Sequence, residues 1–107
     1  MADKPTVTRT TLGDFAPKFA DLTDDVLFGD IWERPNLSKR DRSLITVSTL
    51  TALYRLEQLP FHIERALDNG VTKDEIIEAM THVAFYAGWP TTVSALGIAK
   101  KIFEKTP

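Results

Sequence analysis

The sequence predicts an all-α protein of five to six helices joined by short connections. Apolar residues recur at intervals of three and four through most of the chain, which is the spacing of one helix face. Proline, glycine and capping residues stand where such helices would begin and end. No persuasive run of alternating polar and apolar residues, bounded by turn residues, predicts a strand, because TVTRTT is short and terminal.

Length and composition favour one globular domain. Of the 107 residues, 43% are hydrophobic and 26% are charged, as in an ordinary soluble protein. Residues 1–10 are polar and threonine-rich, and we expect a flexible N-terminal arm there, followed by a single helical domain at 11–107. A domain of this size gains much from oligomerisation, because it buries a smaller share of its surface than a larger one does.

Two helices are predicted before Pro35. The first begins near Thr11, and its apolar face consists of Phe15, Phe19 and Leu22. The second would begin at Thr23, because two aspartates follow it and acidic residues in a first turn interact favourably with the helix dipole. The apolar stripe of this second helix consists of Val26, Leu27, Ile31 and Trp32. Proline disfavours helical backbone in the residue before it, so this helix would end at Pro35.

The next two helices are predicted from Ser38 and from the stretch around Pro60. Residues 44–53 are apolar or small nearly all round, which predicts burial in the core or at a subunit contact. Residues 53–70 are also predicted to be helical. Within them Pro60 suits the first position of a helix, and Gly70 suits its left-handed end.

Two helices complete the chain. Thr72 and Glu75 have the spacing of a capping box, which predicts a helix running to about Gly88. The predicted core positions of this helix are Ile76, Ile77, Met80, Val83 and Ala84. Pro90 then begins the last helix.

Charge and composition argue against several functional classes. The net charge is −2, from 13 basic and 15 acidic residues without a basic block, so nucleic-acid binding is not expected. No apolar run approaches the roughly 18 residues that span a bilayer, and the N-terminus lacks the apolar segment of a secretory signal, so the cytoplasm is the expected location. The chain has no cysteine, which excludes disulfides, thiolate zinc sites and chemistry by its own thiols.

His62 is the first candidate functional residue. It lies at the edge of a predicted apolar face formed by Leu59, Ile63, Ala66 and Leu67. An ordinary pKa near 6.5 makes imidazole an effective proton carrier at neutral pH. A structural histidine with satisfied hydrogen bonds would suit the same position, so both interpretations stay open.

His82 and Tyr86 form a second candidate group. Glu78 stands four residues before His82 and Tyr86 stands four residues after it, and residues at this spacing are neighbours on one helix face. The three side chains could form a polar ladder of functional use, and a helix–helix hydrogen-bond network is an equally good interpretation. No H-x-x-x-H pair is present, and no metal site is predicted.

Four cations cluster where the helix after Ser38 begins: Arg34, Lys39, Arg40 and Arg42. Cations in a first turn oppose the helix dipole, so Asp41, Glu33, a partner's carboxylates or an anionic ligand should compensate. A solvated face or subunit ion pairs suit Lys39 and Arg40. Arg42 is a candidate carboxylate anchor, because a guanidinium can grip a carboxylate with two hydrogen bonds. Aromatic residues in helical chains are mostly core, which is also the simpler interpretation for Trp32, Phe61, Tyr86 and Trp89.

Three segments carry a specific order of residues: R-P-x-L-S-x-R-x-R-S-L, then H-x-x-x-A-L-x-N-G-x-T-x-x-E, then Y-A-G-x-P. With this order and spacing, residues 24–104 resemble the carboxymuconolactone decarboxylase family. The resemblance implies an all-helical fold that forms homo-oligomers, often trimers of dimers, with sites near subunit contacts. It also implies a lyase that removes carbon dioxide from a small cyclic lactone acid without a cofactor.

The same superfamily contains alkylhydroperoxidase D-like thiol enzymes, which are marked by C-x-x-C-x-x-x-H with a glutamate twelve residues before the first cysteine. Alignment on His62 puts Arg55 and Gln58 at the two cysteine positions and Ser43 at the glutamate. His62 therefore occupies the site position of the superfamily, while the dithiol is missing. A peroxidase that cycles through its own disulfide is excluded for this chain, because it has no sulfur to oxidise.

The decarboxylase resemblance assigns roles to the candidate residues. His62 would be the general acid that delivers a proton to carbon, and Arg42 or Arg34 would anchor the carboxylate. Tyr86 or His82 would donate a secondary hydrogen bond, and Trp32 completes the expected substrate-binding set. The alternative is a non-catalytic helical oligomer, or a relative that binds a small acid, on the same scaffold.

Overall fold

The computed structural model describes residues 6–106. This range contains six α-helices and no strand, which confirms the all-α prediction. The helices are α1 (Val7–Leu12), α2 (Pro17–Leu22), α3 (Lys39–Ala52), α4 (Leu59–Asp68), α5 (Lys73–Ala87) and α6 (Trp89–Lys105). A π-helical turn at Thr23–Phe28 and a 3-10 turn at Ile31–Glu33 follow α2. None of the helices in residues 6–106 has the length and apolar character needed to cross a bilayer.

The chain divides into two compact units, with the boundary between Ser38 and Lys39. We expect a flexible arm at residues 1–10, but residues 1–5 lie outside the described residues. Thr6 is the first described residue, and α1 begins directly after it. A single domain over residues 11–107 stays a prediction.

α1 is held by a network of hydrogen bonds within the first unit. The Thr6 hydroxyl caps the helix by accepting a bond from the Arg9 N–H at 3.0 Å, and it donates to Asp24 Oδ1 at 2.7 Å. The Arg9 guanidinium donates to Asp24 Oδ2 at 2.9 Å and to Asp21 Oδ1 at 2.7 Å. The bond from Thr6, followed by the bond from Arg9, holds the pKa of Asp24 below its usual value. These contacts tie α1 to α2 and the π-helical turn.

The helices predicted between Thr11 and Pro35 are partly wrong. A turn at residues 13–16 interrupts the first one, and α2 begins at Pro17, where the missing N–H of proline is tolerated. A helical element does begin at Thr23, with both aspartates in its first turn, but it is a π-helical turn that continues directly from α2 and ends at Phe28 rather than at Pro35. The apolar side chains of this segment are mostly exposed, as the 86% exposure of Phe15 illustrates.

The second unit is a bundle of four helices. α3 packs against α4 and α5, and α6 packs against the other three. The shared core consists of Val47, Leu59, Ile63, Ala66, Val71, Ile76, Met80, Ala95, Ala99 and Ile102. α3 buries one stripe, with Val47 at its centre, while Ile45 and Leu53 are exposed. The burial predicted for residues 44–53 therefore applies to one side of the helix within a single chain.

The segment between α3 and α4 is a turn rather than a helix. α4 begins only at Leu59, so the helical interpretation of residues 53–58 is wrong. Tyr54 has a left-handed backbone with φ of 62°. Its N–H donates to the carbonyl of Thr51 at 3.1 Å, and the next N–H, of Arg55, donates to that of Leu50 at 2.9 Å. This bond pair is a Schellman motif, which ends a helix by satisfying its last carbonyl groups.

The predicted end of α4 and start of α5 are confirmed. Gly70 has φ of +99° and its N–H bonds back into the last turn of α4 at 3.1 Å. The Thr72 hydroxyl accepts from the Glu75 N–H at 3.1 Å, and the Glu75 carboxylate accepts from the Thr72 N–H at 2.9 Å. Arg40 on α3 forms an ion pair with the same carboxylate. The Thr72 backbone bond first, and Arg40 second, hold the pKa of Glu75 below its usual value.

Candidate active site

α3 and α4 form an antiparallel pair that carries two of the predicted site residues. The amide of Asn69, directly after α4, donates to the hydroxyl oxygen of Ser43, near the start of α3, at 2.9 Å. Since the start of one helix lies beside the end of the other, the two helices run in opposite directions. Ser43 is fully buried, so this bond sets the register of the pair where water does not compete.

His62 lies near the start of α4, at the edge of its core-facing side, as predicted. The imidazole is half-buried and its Nδ1 atom is buried. The ring of Phe61 meets the imidazole edge-on, with the ring centroids 5.0 Å apart. Ile63 and Ala66 of the same helix are fully buried in the core, so packing determines the direction in which this face of α4 points.

The environment of His62 favours the neutral imidazole. Burial, followed by repulsion from the positive charge of Arg65, lowers the pKa of His62 below 6.5. At neutral pH the ring is therefore mostly unprotonated in the protein without substrate. An anion that binds beside the ring would act in the opposite direction and favour the imidazolium.

His62, Arg65 and Asn69 form a polar row on α4, which we call the α4 stripe. They stand at positions i, i+3 and i+7, so they lie above one another on one side of the helix. All three are half-buried, and the Nε atom of Arg65 is buried. Sequence reasoning did not select Arg65 as a site residue, although its spacing of three from His62 was the available signal.

Arg42 lies in the first turns of α3, next to Ser43 in the sequence. Its side chain is half-buried and its Nε atom is buried. Because Ser43 bonds to Asn69, Arg42 is placed at the Asn69 end of the α4 stripe. The structure thus puts this predicted anchor on the helix that packs against α4, at a different level from His62.

His82 and Tyr86 lie together on α5. Their ring centroids are 5.0 Å apart, and the planes are tilted by 33°. Both side chains are exposed, Tyr86 by 81%. Glu78, one turn earlier, is also exposed, so the predicted ladder lies on the surface of the isolated chain. α5 packs against α3 and α6.

Trp32 and Arg34 belong to the first unit. Trp32 is buried and stacks on Phe28, with ring centroids 6.1 Å apart. Arg34 directly follows the 3-10 turn and is exposed. A substrate-binding role for these two residues remains a prediction from the family resemblance.

The positions that correspond to the superfamily cysteines are occupied by exposed polar side chains. Arg55 lies in the turn after α3, and Gln58 directly precedes α4. Within residues 6–106, His, Asp and Glu side chains do not converge in groups of three that could hold a metal ion. A groove of about 400 Å³ lies elsewhere in the second unit, lined by Ile77, Leu96, Ala99, Lys100, Phe103 and Glu104.

Comparison with known proteins identifies the family. Residues 17–101 match the carboxymuconolactone decarboxylase family. A 4-carboxymuconolactone decarboxylase of Acinetobacter baylyi is 38% identical over 93 residues, which cover 87% of this chain and 69% of that protein. Nitrosuccinic acid decarboxylase npaB of Metarhizium robertsii is 35% identical over 76% of this chain, but the match spans only 57% of that protein.

An uncharacterized 15.0 kDa protein of Paracoccus denitrificans is also similar, with 31% identity over 76% of this chain and 62% of that protein. The match to the family includes α2 to α6 with most of the last helix. It contains the Ser43–Asn69 bond and the whole α4 stripe. The chain belongs to the carboxymuconolactone decarboxylase family.

Proposed function

We propose that this chain is a cofactor-free carboxy-lyase that decarboxylates a small carboxylated lactone or a related acid. Two similar proteins are named as decarboxylases of 4-carboxymuconolactone and nitrosuccinic acid. The observation that carries the proposal is the half-buried imidazole of His62 on a helix pair that also holds half-buried arginines. Such groups can bind a carboxylate and move a proton, which is the chemistry that this reaction needs.

The reaction places simple demands on the site. The bond between the carboxylate carbon and the neighbouring carbon breaks, and its electron pair enters the adjoining acceptor group, as an enolate in the lactone or as a nitronate in nitrosuccinic acid. Carbon dioxide leaves, and a proton then adds to carbon, so the reaction consumes one proton.

In this proposal each candidate residue has one role. Arg42 anchors a carboxylate of the substrate, and His62 in its imidazolium form delivers the proton. Tyr86 or His82 donates a secondary hydrogen bond. The family resemblance also suggests Trp32 and Arg34 as substrate-binding residues.

The lowered pKa of His62 fits this role when substrate charge is included. An imidazolium of lower pKa is a stronger acid, so it gives up its proton to carbon more readily. The negative charge of a bound carboxylate favours protonation of the ring before that step. Protonation and substrate binding are therefore expected to support each other.

Turnover tests the proposal directly. Purified protein, dialysed against a chelator, is mixed with 4-carboxymuconolactone or with nitrosuccinic acid, and carbon dioxide release is measured. We expect turnover of at least one of them, with a loss on the order of 100-fold in kcat for His62→Gln, since general acid catalysis contributes about that much or more. Lys101→Gln, on the exposed side of α6, is the control and should keep wild-type turnover. Absence of turnover with both acids, or full activity in His62→Gln, would contradict the proposal.

One observation favours a second candidate, a non-catalytic helical oligomer or small-acid-binding relative. The Nδ1 atom of His62 is buried and Phe61 packs edge-on against the ring, as expected of a histidine that serves packing. In that case His62→Gln would lower the melting temperature without changing acid binding. Calorimetric titration with succinate, before and after this substitution, separates the two candidates.

The expected partners and location belong to the same proposal. A homo-oligomer, such as a trimer of dimers, is supported by the large apolar side chains that a single chain leaves exposed. The cytoplasm is the proposed location, and a small carboxylate is the proposed ligand. We expect neither nucleic acid nor a membrane as a partner.

A further inference from the structure

The level of His62 along α4 is close to that of Arg65 and far from that of Arg42, because Arg65 is three residues away on the same helix while the antiparallel register places Arg42 elsewhere. The Asn69–Ser43 bond brings the end of α4 beside the start of α3. A helix rises about 1.5 Å per residue, so His62 lies about 10 Å along α4 from Asn69, whereas Arg65 lies about 4.5 Å from His62. Arg42, next to Ser43, is level with the Asn69 end of the stripe.

Side-chain direction increases this difference. The Cα–Cβ bonds of a helix tilt toward its N-terminus, and long side chains lie over the preceding turn. On α4 this direction takes the Arg65 side chain toward His62. On the antiparallel α3 it takes the Arg42 side chain toward the start of α3, away from the level of His62.

Two further observations agree with this geometry. Arg65 is half-buried with a buried Nε atom, so its guanidinium is held close to the helix surface. Burial, followed by the positive charge of Arg65, lowers the pKa of His62, as expected if the guanidinium lies near the ring. By contrast, the cations Arg55 and Lys101 are exposed.

We propose that Arg65 is the substrate-binding residue that holds an anionic oxygen of the substrate beside His62. The assignment rests on the proposed decarboxylase function for its catalytic part. A guanidinium there would stabilise the negative charge that develops on an enolate oxygen when the carbon–carbon bond breaks. Its hydrogen bonds would also hold that oxygen near the proton carried by His62. Arg42, on α3 beside the Asn69 end of the α4 stripe, would anchor a second carboxylate that stays on the substrate.

An NMR titration tests the binding part without any turnover. The His62 imidazole signals are assigned by their loss in His62→Gln, and succinate is the probe anion. We expect succinate to shift these signals and to raise the pKa of His62 in the wild type and in Lys101→Gln. Arg65→Gln should abolish the response to succinate, and Arg65→Lys should weaken it but keep it. A wild-type protein that does not respond, or an Arg65→Gln protein that responds as the wild type does, would overturn the assignment.

Kinetics test the catalytic part with whichever acid is turned over. Arg65→Gln should lower kcat/KM on the order of 100-fold, in the range seen when one transition-state hydrogen-bond donor is lost. Arg65→Lys should recover part of this, and free guanidinium ions should recover part of the activity of Arg65→Ala. A structural role alone would lower the melting temperature without rescue by guanidinium, and that result would overturn the assignment. Succinate binding through Arg65 in a protein that decarboxylates neither acid would remove only the proposed function.

Discussion

At the scale of single residues, His62 shows how packing changes the protonation of a histidine. Its ring is half-buried on α4, beside Phe61 and one turn from Arg65. Burial and the neighbouring positive charge both disfavour the imidazolium. The same two features make the imidazolium a stronger acid, and a bound anion would offset them so that the ring can carry a proton.

The lowered pKa of His62 predicts how stability depends on pH. Between the folded pKa and the ordinary value of 6.5, the unfolded chain binds more protons than the folded one. The free energy of unfolding therefore rises with pH through this window. The stabilising contribution is fully present above pH 6.5 and is lost as the pH falls through the folded pKa.

Urea unfolding at a series of pH values between 7.5 and 4.5 measures this effect. Wild type should lose more stability than His62→Gln over the acidic part of the range, while His82 is present in both proteins and serves as an internal control. Parallel pH profiles for the two proteins would contradict the prediction. The difference should be modest, since the ring is only half-buried and solvent screens its charge.

At the scale of elements, α3 and α4 end in the same motif with different residues. Both use a left-handed position after the last turn, occupied by Tyr54 in one case and Gly70 in the other. Glycine adopts this backbone without a steric penalty, while another residue pays roughly 1–2 kcal/mol. The two sites therefore form a natural comparison within one unit.

Substitutions at these two ends should differ in sign or size. Gly70→Ala should lower the free energy of unfolding by about 1 kcal/mol, and the cost is one of backbone conformation, because an added Cβ meets nothing within 4 Å. Tyr54→Gly should change stability by less than about 1 kcal/mol, since relief of strain offsets the greater freedom of glycine in the unfolded chain. Chemical denaturation measures both. A loss of several kcal/mol in Tyr54→Gly would show that the tyrosine side chain has a packing role.

At the scale of the whole molecule, the distribution of apolar surface stands out. Phe85 and Trp89 are 73% and 60% exposed, and their rings meet edge-on across the junction of α5 and α6. Val93 lies exposed one turn further along α6. Aromatic residues on an exposed apolar patch are typical of protein–protein contacts, so this surface favours association of chains.

Light scattering at micromolar concentration tests the association. We expect a mass that is a multiple of the 12.0 kDa chain, and Phe85→Lys should shift the protein toward smaller species because a charge is costly in an apolar contact. Lys101→Gln is the control and should keep the wild-type mass. A wild-type protein that is monomeric under these conditions would contradict the prediction.

The sequence by itself determined those features whose cause is local. The capping box at Thr72, the left-handed end at Gly70 and the proline near the start of α4 act within a few residues, so they were predicted at the correct places. The missing cysteines excluded thiol chemistry in the same way. The family motifs also predict a site role for His62 from its spacing to Ala66, Asn69 and Gly70, and that role stays a prediction.

Only the tertiary structure decided which side chains meet across the fold. The Asn69–Ser43 bond joins residues 26 positions apart, and it sets the register that keeps Arg42 away from the level of His62. The nearness of Arg65 to His62 follows from their spacing within α4. The left-handed Tyr54 could not be predicted either, since tyrosine disfavours that conformation and packing of α3 on α4 has to compensate for the cost. Local preferences choose the helices, but contacts between helices choose the face that each one presents.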